Sequence, residues 1–140
     1  CGNIGGLEAL IGTAALVREA TIALATGRHS SLRDGPLTPQ RIFAASAAGD
    51  RVARELVQRF AELLGAGIVS LVHAHDPDLV VLGGGMIGAA EQFLPIVQSY
   101  VTAHIWTLPG RRVEVVTAEL GDAAALVGVA AFARGFDAFL

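Results

Sequence analysis

The chain has 140 residues, 53% of them hydrophobic, which is long enough for one compact domain and too short for two. Its net charge of -3 at pH 7 argues against a standing basic surface for nucleic acid or anionic lipid. All 10 basic residues are arginines, which excludes mechanisms that need a Schiff-base lysine or a P-loop lysine.

The single cysteine and the lengths of the apolar runs bear on location. Cys1 has no partner for an internal disulfide, which fits a reducing compartment, and we expect a cytoplasmic protein. No apolar run approaches the ~20 residues that span a bilayer, so no membrane contact is expected. Because the sequence starts at a cysteine and in what looks like the middle of a motif, we expect it to be part of a longer protein.

The first half of the chain is predicted to be helical. Apolar residues at roughly helical spacing over Leu7–Ala25 predict a short helix and then a longer one, with Thr13 as the candidate cap of the second and Gly27 after its end. The composition of Gly27–Pro39 is typical of a loop. Thr38-Pro39 then supplies an N-cap and a proline in the first turn of the next helix.

A long helix is predicted to begin at Arg51, because apolar residues recur from there at three- and four-residue steps, and Pro77 is expected to end it. The segment Leu63–Val72 carries no charge, which predicts burial on all sides. His73 and His75, spaced i and i+2, point to different faces of a helix. We therefore expect them to meet the helix dipole rather than to bind a metal.

The second half alternates strands and helices. The continuous apolar run Leu79–Leu82 predicts a central strand covered on both faces, and Val113–Val116 predicts a second strand. A helix is expected over Glu91–Trp106 between them, and Asp122 is predicted to cap a last helix over Ala123–Arg134. This order indicates an α/β fold, and since two strands cannot bury so many helices, further strands are expected from a preceding segment or a second chain.

The helix after the first strand contains Pro95, which is tolerated because it is expected in the first turn. Phe93, Tyr100 and Trp106 fall at roughly helical steps within it. We interpret these three aromatic residues as core or subunit-contact residues rather than as a stacking platform for nucleic acid.

Three glycines, Gly83, Gly84 and Gly85, follow the first strand and form the start of a GxGxxG pattern that ends at Gly88. Their backbone amides can approach a phosphate or ribose. A dinucleotide site would also need an acidic residue ~20 positions further on, and residues 103–108 contain none. A third interpretation is that the glycines only let the next helix pack closely on the sheet.

Three strings carry a family resemblance: CGNIGGLE at residues 1–8, DPDLVVLGGGM at 76–86 and AELGDAAALVGVAA at 118–131. In this order they resemble motifs of the ROK family of repressors, open reading frames and sugar kinases. The resemblance implies that Cys1 matches a ligand of a structural zinc and that Glu8 matches a residue holding sugar hydroxyls. Gly6 stands where the family has a further zinc-binding cysteine, so we predict weak or absent zinc binding.

The resemblance also implies a fold and an activity. The fold is the C-terminal lobe of an actin-like, hexokinase-like (ribonuclease H-like) ATPase, with residues 1–140 lacking the N-terminal lobe and part of the sheet. The implied function is ATP- and Mg²⁺-dependent phosphorylation of a hexose by a glucokinase-like full-length protein. The lobe would supply Glu8 to the sugar and Gly83, Gly84 and Gly85 to the adenosine, with no catalytic residue and no activity of its own.

Two alternatives to the kinase remain open. The same lobe serves as the sugar-sensing domain of ROK transcriptional repressors, and a non-catalytic homologue would be a scaffold. In each case the expected partners are a sugar, the protein's own N-terminal lobe and a second copy in a homodimer, with ATP in the kinase. No direct nucleic-acid contact is expected from this segment.

Overall fold

The computed structural model describes residues 5–106 and 110–134. Within these residues the chain forms six α-helices, two strands and three short 3-10 turns. The helices and strands are α1 (Leu7–Ile11), α2 (Thr13–Ala25), α3 (Pro39–Ala47), α4 (Arg51–His75), β1 (Leu79–Leu82), α5 (Ala90–His104), β2 (Glu114–Thr117) and α6 (Ala124–Ala133). The 3-10 turns are Ser31–Asp34, Ile87–Ala89 and Gly121–Ala123.

Helix α4 is the centre of the structure and packs against α1, α2, α3 and α5. Phe43, Phe60 and Phe93, from α3, α4 and α5, form an aromatic cluster with ring centroids 5.2–6.0 Å apart. Edge-to-face geometry adds ~0.5–1.5 kcal/mol per pair beyond area burial. By length and composition α4 could cross a bilayer, but its buried residues face the other helices, as in the core helix of a globular domain.

Asp50 joins the start of α4 to the preceding loop. Its Oδ1 accepts a hydrogen bond from the backbone N–H of Ala53 at 3.0 Å, which makes it the N-cap. Its Oδ2 accepts hydrogen bonds from the N–H of Ser31 at 2.7 Å and from the hydroxyls of Ser30 and Ser31 at 2.9 Å. Partial burial raises the pKa of Asp50, but these hydrogen bonds outweigh it and lower the pKa to about 2.

The two strands are parallel, with Leu79 opposite Glu114 and Leu82 opposite Thr117. Arg111 ties their amino ends together, because its Nη2 lies 3.1 Å from carboxylate oxygens of both Asp76 and Asp78. The prediction that α4 ends before Pro77 is confirmed, since Asp76 adopts the left-handed conformation with φ 48° directly after His75.

A side chain closes the outer edge of β2. Gln98 of α5 donates from Nε2 to the carbonyl of Val113 at 3.0 Å and accepts at Oε1 from the N–H of Val115 at 2.9 Å. Its amide therefore occupies the positions that a neighbouring strand would take. The opposite edge of the sheet, beyond β1, has no strand beside it among the residues described.

Two burial predictions are wrong. Strand β1 is not covered on both faces, since Leu79 is 49% and Val81 56% exposed, and nothing in the described chain packs on the face they share. The second half of α4 is not buried on all sides either, because Leu71 is 49% exposed. An uncharged segment is able to be buried, but whether another element packs against it depends on the tertiary structure.

Some helix starts also differ from the prediction. Gly12, not Thr13, occupies the N-cap of α2, and Ala123 occupies the N-cap of α6 that was assigned to Asp122. Helix α5 begins at Ala90, so Pro95 lies in its second turn rather than its first. The predicted cap at Thr38 is confirmed by a hydrogen bond from side chain to backbone.

The predicted aromatic roles divide. Phe93 is 2% exposed and belongs to the core, as predicted, and Tyr100 is half-buried. Trp106 is 76% exposed and is therefore not a core residue, while its alternative role as a subunit contact stays a prediction. Residues 1–4, which include Cys1, and residues 107–109 and 135–140 lie outside the described part of the chain.

Candidate functional site

Three bare glycines lie at the carboxyl end of β1. Gly84 has φ 100°, a conformation that favours glycine by itself. Gly83 and Gly85 lie outside that region, and a Cβ atom added at any of the three would meet nothing within 4 Å. Close packing of the next helix therefore does not explain the glycines, and the exposed backbone remains free to approach a ligand.

The turn does not lead directly into a helix. Residues Ile87–Ala89 form a 3-10 turn, and α5 begins only at Ala90. In a dinucleotide fingerprint the pyrophosphate sits at the N-terminus of the helix that the glycines open. The 3-10 turn is therefore a second argument against a dinucleotide site. The first is that residues 103–108 contain no acidic residue to bind the ribose hydroxyls.

A groove runs alongside the glycine turn. One cavity, of about 370 Å³, lies between the turn and the starts of α2 and α3, and is lined by Thr13, Thr38, Pro39, Gln40, Gly83, Gly84, Gly85 and Met86. A neighbouring cavity of about 380 Å³ shares Pro39, Gln40, Gly85 and Met86 with it, so the two form one groove. Its position at the carboxyl end of a parallel strand is where open α/β sheets bind ligands.

Glu8 lies in the first turn of α1 and is exposed. Its side chain folds back over Gly12: a Cβ at Gly12 would overlap the Glu8 Oε1 and lie 2.6 Å from its Cδ. The next residue, Thr13, lines the groove beside the glycines. Glu8 therefore lies over the residue that precedes Thr13, while Thr13 itself borders the glycine turn.

The described residues add no ligand to the implied zinc site, and weak or absent zinc binding stays a prediction. Cys1 is the one thiol in the sequence and lies outside the described residues, and Gly6 offers no ligand. The residues described contain no group of three or more His, Cys, Asp or Glu able to hold a metal. A tetrahedral structural zinc needs four such ligands.

The two histidines at the end of α4 occupy different surroundings. His73 is half-buried, with its ring 5.4 Å from that of Trp106 in an edge-to-face contact. His75 is exposed. Both lie in the last turn of α4, as predicted, and they do not converge on a common ligand.

A further cavity lies away from this region. It measures about 210 Å³, sits between α1, α2 and α4, and is lined mainly by apolar side chains, with Glu55 and Arg28 at its rim. Arg28 lies 2.7 Å from Glu55. Hydrogen bonds from Arg28 and Arg51 lower the pKa of Glu55. These ion pairs join residues that line the cavity to Arg51 on the same helix as Glu55.

A helix-rich lobe with a small parallel sheet, a bare glycine turn and an adjacent open groove defines one part of a ligand-binding α/β protein. The family model described as "ROK family" matches residues 1–135. The chain therefore belongs to the ROK family, and its fold is that of a lobe of the actin-like ROK sugar kinases.

Relatives in the family have two kinds of function. The chain is 29% identical over 133 residues to a glucokinase from Halalkalibacterium halodurans, a match covering 91% of this chain and 40% of that protein. It is 28% identical over 132 residues to a xylose repressor from Caldicellulosiruptor bescii, covering 91% of this chain and 33% of the repressor. The chain spans less than half the length of these relatives.

A solved structure shares the fold closely. The ROK family glucokinase from Streptomyces griseus, solved with glucose and AMPPNP, superposes with a TM-score of 0.84 at 29% identity. The match covers 96% of this chain and 46% of that one. Even over this solved relative, therefore, the chain accounts for under half of the protein.

Sequence reasoning missed part of the groove wall. Thr13 was considered only as a helix cap, and Gln40 was not singled out, yet both line the groove. They come from different segments and reach the glycine turn only through the packing of α2 and α3 around α4. Nothing in their spacing could have joined them to Gly83–Gly85.

Proposed function

We propose that the full-length protein is an ATP-dependent hexose kinase of the glucokinase type. In this proposal the lobe contributes Glu8 to the sugar and the Gly83–Gly85 turn to the adenosine. The observation that carries it is the bare turn beside an open groove, at the carboxyl end of β1. Neither packing nor backbone conformation requires glycine at positions 83 and 85, whereas the approach of a nucleotide does.

The position of Glu8 supports the same proposal. Phosphoryl transfer requires the sugar and the nucleotide to be held next to each other, because catalysis depends mainly on positioning and charge stabilisation. Glu8 lies over Gly12, and the following residue, Thr13, borders the groove. A sugar bound by Glu8 would therefore be close to a nucleotide bound along the glycine turn.

The remaining parts of the proposal concern groups outside these residues. The catalytic base and the phosphate-binding loop would belong to an N-terminal lobe, and Mg²⁺ would neutralise the transferring phosphate when bound with ATP. We propose weak or absent zinc, a cytoplasmic location and a homodimer. The exposed apolar face of β1 and the exposed side chains of α6, such as Leu126 at 75%, support association with further protein surface.

The test is to titrate the full-length protein with ATP and a panel of hexoses. We expect turnover with at least one hexose by the full-length protein and none by the 140-residue chain. Absence of turnover with every sugar would contradict the kinase. Zinc close to one equivalent per chain would contradict the proposed loss of the metal site.

The second candidate is a sugar-sensing repressor, favoured by the similarity to a xylose repressor over nearly the whole chain. The upstream sequence discriminates between the two. A helix-turn-helix before the lobe would indicate a repressor, whereas a strand followed by a glycine- and threonine-containing phosphate loop would indicate a kinase.

A further inference from the structure

Helix α1, which carries Glu8, is seated in a notch on α4. The notch is formed by Gly67: a Cβ atom at this position would lie 2.8 Å and 2.9 Å from the two terminal methyl carbons of Leu7 and 3.4 Å from its Cγ. Both branches of Leu7 therefore rest on the bare backbone of Gly67. Gly67 has an ordinary helical conformation, so its glycine is not needed for a turn and matters here for the close approach.

Helix α1 has little intrinsic stability. It contains five residues and has no side-chain N-cap, and isolated helices of this length do not persist in water. Tertiary contacts therefore hold it: α1 packs against α2 and α4, Ile11 packs against the core, and Nη2 of Arg18 donates a hydrogen bond to the carbonyl of Ala9 at 3.1 Å. Leu7 is the α1 side chain that rests on Gly67, so the shape of α4 at this position contributes to the orientation of α1.

The surroundings decide which helix would yield if the notch were filled. Helix α4 is 25 residues long and carries much of the core, including Ile68 at 2% exposure next to Gly67. Leu7 is 38% exposed and borders an open hollow of about 430 Å³ on the α4 surface. A methyl group at position 67 would thus displace Leu7, and α1 with it, rather than α4.

We propose that Gly67 is a positioning residue for sugar binding, acting through Leu7 on the orientation of the adjacent Glu8. The inference rests on the proposed role of Glu8 as the sugar contact. Gly67 itself touches no substrate. Filling its notch moves the carboxylate while leaving the glycine turn unchanged, so sugar affinity falls and nucleotide affinity does not.

The test compares Gly67→Ala with Gly65→Ala in the full-length protein. Gly65 is a matched control on the same helix, because its Cβ would lie 2.9 Å from Cδ1 of Tyr100 on α5, an equally tight contact facing away from α1. Both changes also give the same gain in helix propensity.

We expect Gly67→Ala to raise the KM for the sugar at least about tenfold, since small misplacements of a binding group are costly. The KM for ATP should change less than about twofold in both variants. Equal sugar KM values in the two variants would overturn the proposal.

A second measurement separates this inference from the kinase itself. Amide hydrogen exchange at Ala9 and Gly12, whose N–H groups bond to Gly6 and Glu8 carbonyls, should be faster in Gly67→Ala than in wild type or Gly65→Ala. Leu7→Ala removes the same contact from the side of α1, so it should raise the sugar KM in the same direction as Gly67→Ala, and an unchanged sugar KM in Leu7→Ala would count against the proposal. Unchanged exchange would refute the positioning role even in an active enzyme. A wild-type protein that phosphorylates no hexose would instead refute the proposed function. The exchange rates would still decide whether Gly67 determines the orientation of α1.

Discussion

Replacing Asp50 by alanine tests the junction that fixes the start of the central helix. The carboxylate accepts hydrogen bonds from Ala53 N–H, Ser31 N–H and two serine hydroxyls. A pKa held at about 2 instead of 3.8 corresponds to at most ~2.4 kcal/mol at neutral pH. Because the group is only partly buried, solvent screening reduces this to ~1–2 kcal/mol, which agrees with the ~1 kcal/mol typical of a lost N-cap.

The stability lost in Asp50→Ala should depend on pH, because only the ionised carboxylate stabilises the folded state. The pKa of Asp50 is lower in the folded state than its usual value of 3.8, so its contribution is complete above about pH 4 and disappears as the pH falls toward 2. Urea unfolding of the full-length protein should show Asp50→Ala ~1–2 kcal/mol less stable than wild type at about pH 6, with the gap narrowing by about pH 3. Asp34→Ala, which removes an exposed carboxylate from the neighbouring 3-10 turn, is the control. A gap of the same size at both pH values would refute the reasoning.

Three other expectations address the nucleotide groove, the sheet edge and association. Gly85→Val places a branched side chain on the groove wall, so initial-rate kinetics should show a KM for ATP raised about tenfold with the sugar KM little changed; an unchanged ATP KM would remove the turn from the site. Gln98→Leu leaves the N–H of Val115 without its acceptor, and hydrogen exchange should speed up at Val115 while Val116, which faces β1, stays protected. The 140-residue chain should elute as more than a monomer in sizing chromatography, because the exposed face of β1 favours association; a stable monomer at high concentration would count against this.

The elements with local signals were predicted well. Thr38-Pro39 marks a helix start because a short polar side chain can satisfy the first backbone N–H groups wherever it occurs. Strand β1 was placed at Leu79–Leu82 because four apolar residues lie between Pro77 and a run of glycines. The α6 start was displaced by one residue because a 3-10 turn intervenes, and such turns leave little trace in a sequence.

In the candidate site too, residues with a local sequence signal were found and residues that depend on tertiary contacts were not. Its glycines were found because a triple glycine after a strand is unusual and has a mechanical meaning. Glu8 was found through the family resemblance, since an acidic residue at a helix start is otherwise explained by the dipole. Thr13, Gln40 and Gly67 were not connected with the site, because each acquires its role only from a neighbour distant in sequence.

The sequence alone determined the order of the helices and strands, the bare turn after β1 and the family, since these depend on local spacing and on motifs. Tertiary structure decided which apolar surfaces are covered, and it left Leu79 and Val81 exposed where the sequence predicted burial. It also decided that Leu7 rests on Gly67 and that Thr13 and Gln40 border the glycine turn. The physical reason is that burial and close approach are properties of pairs of surfaces, and a sequence describes only one member of each pair at a time.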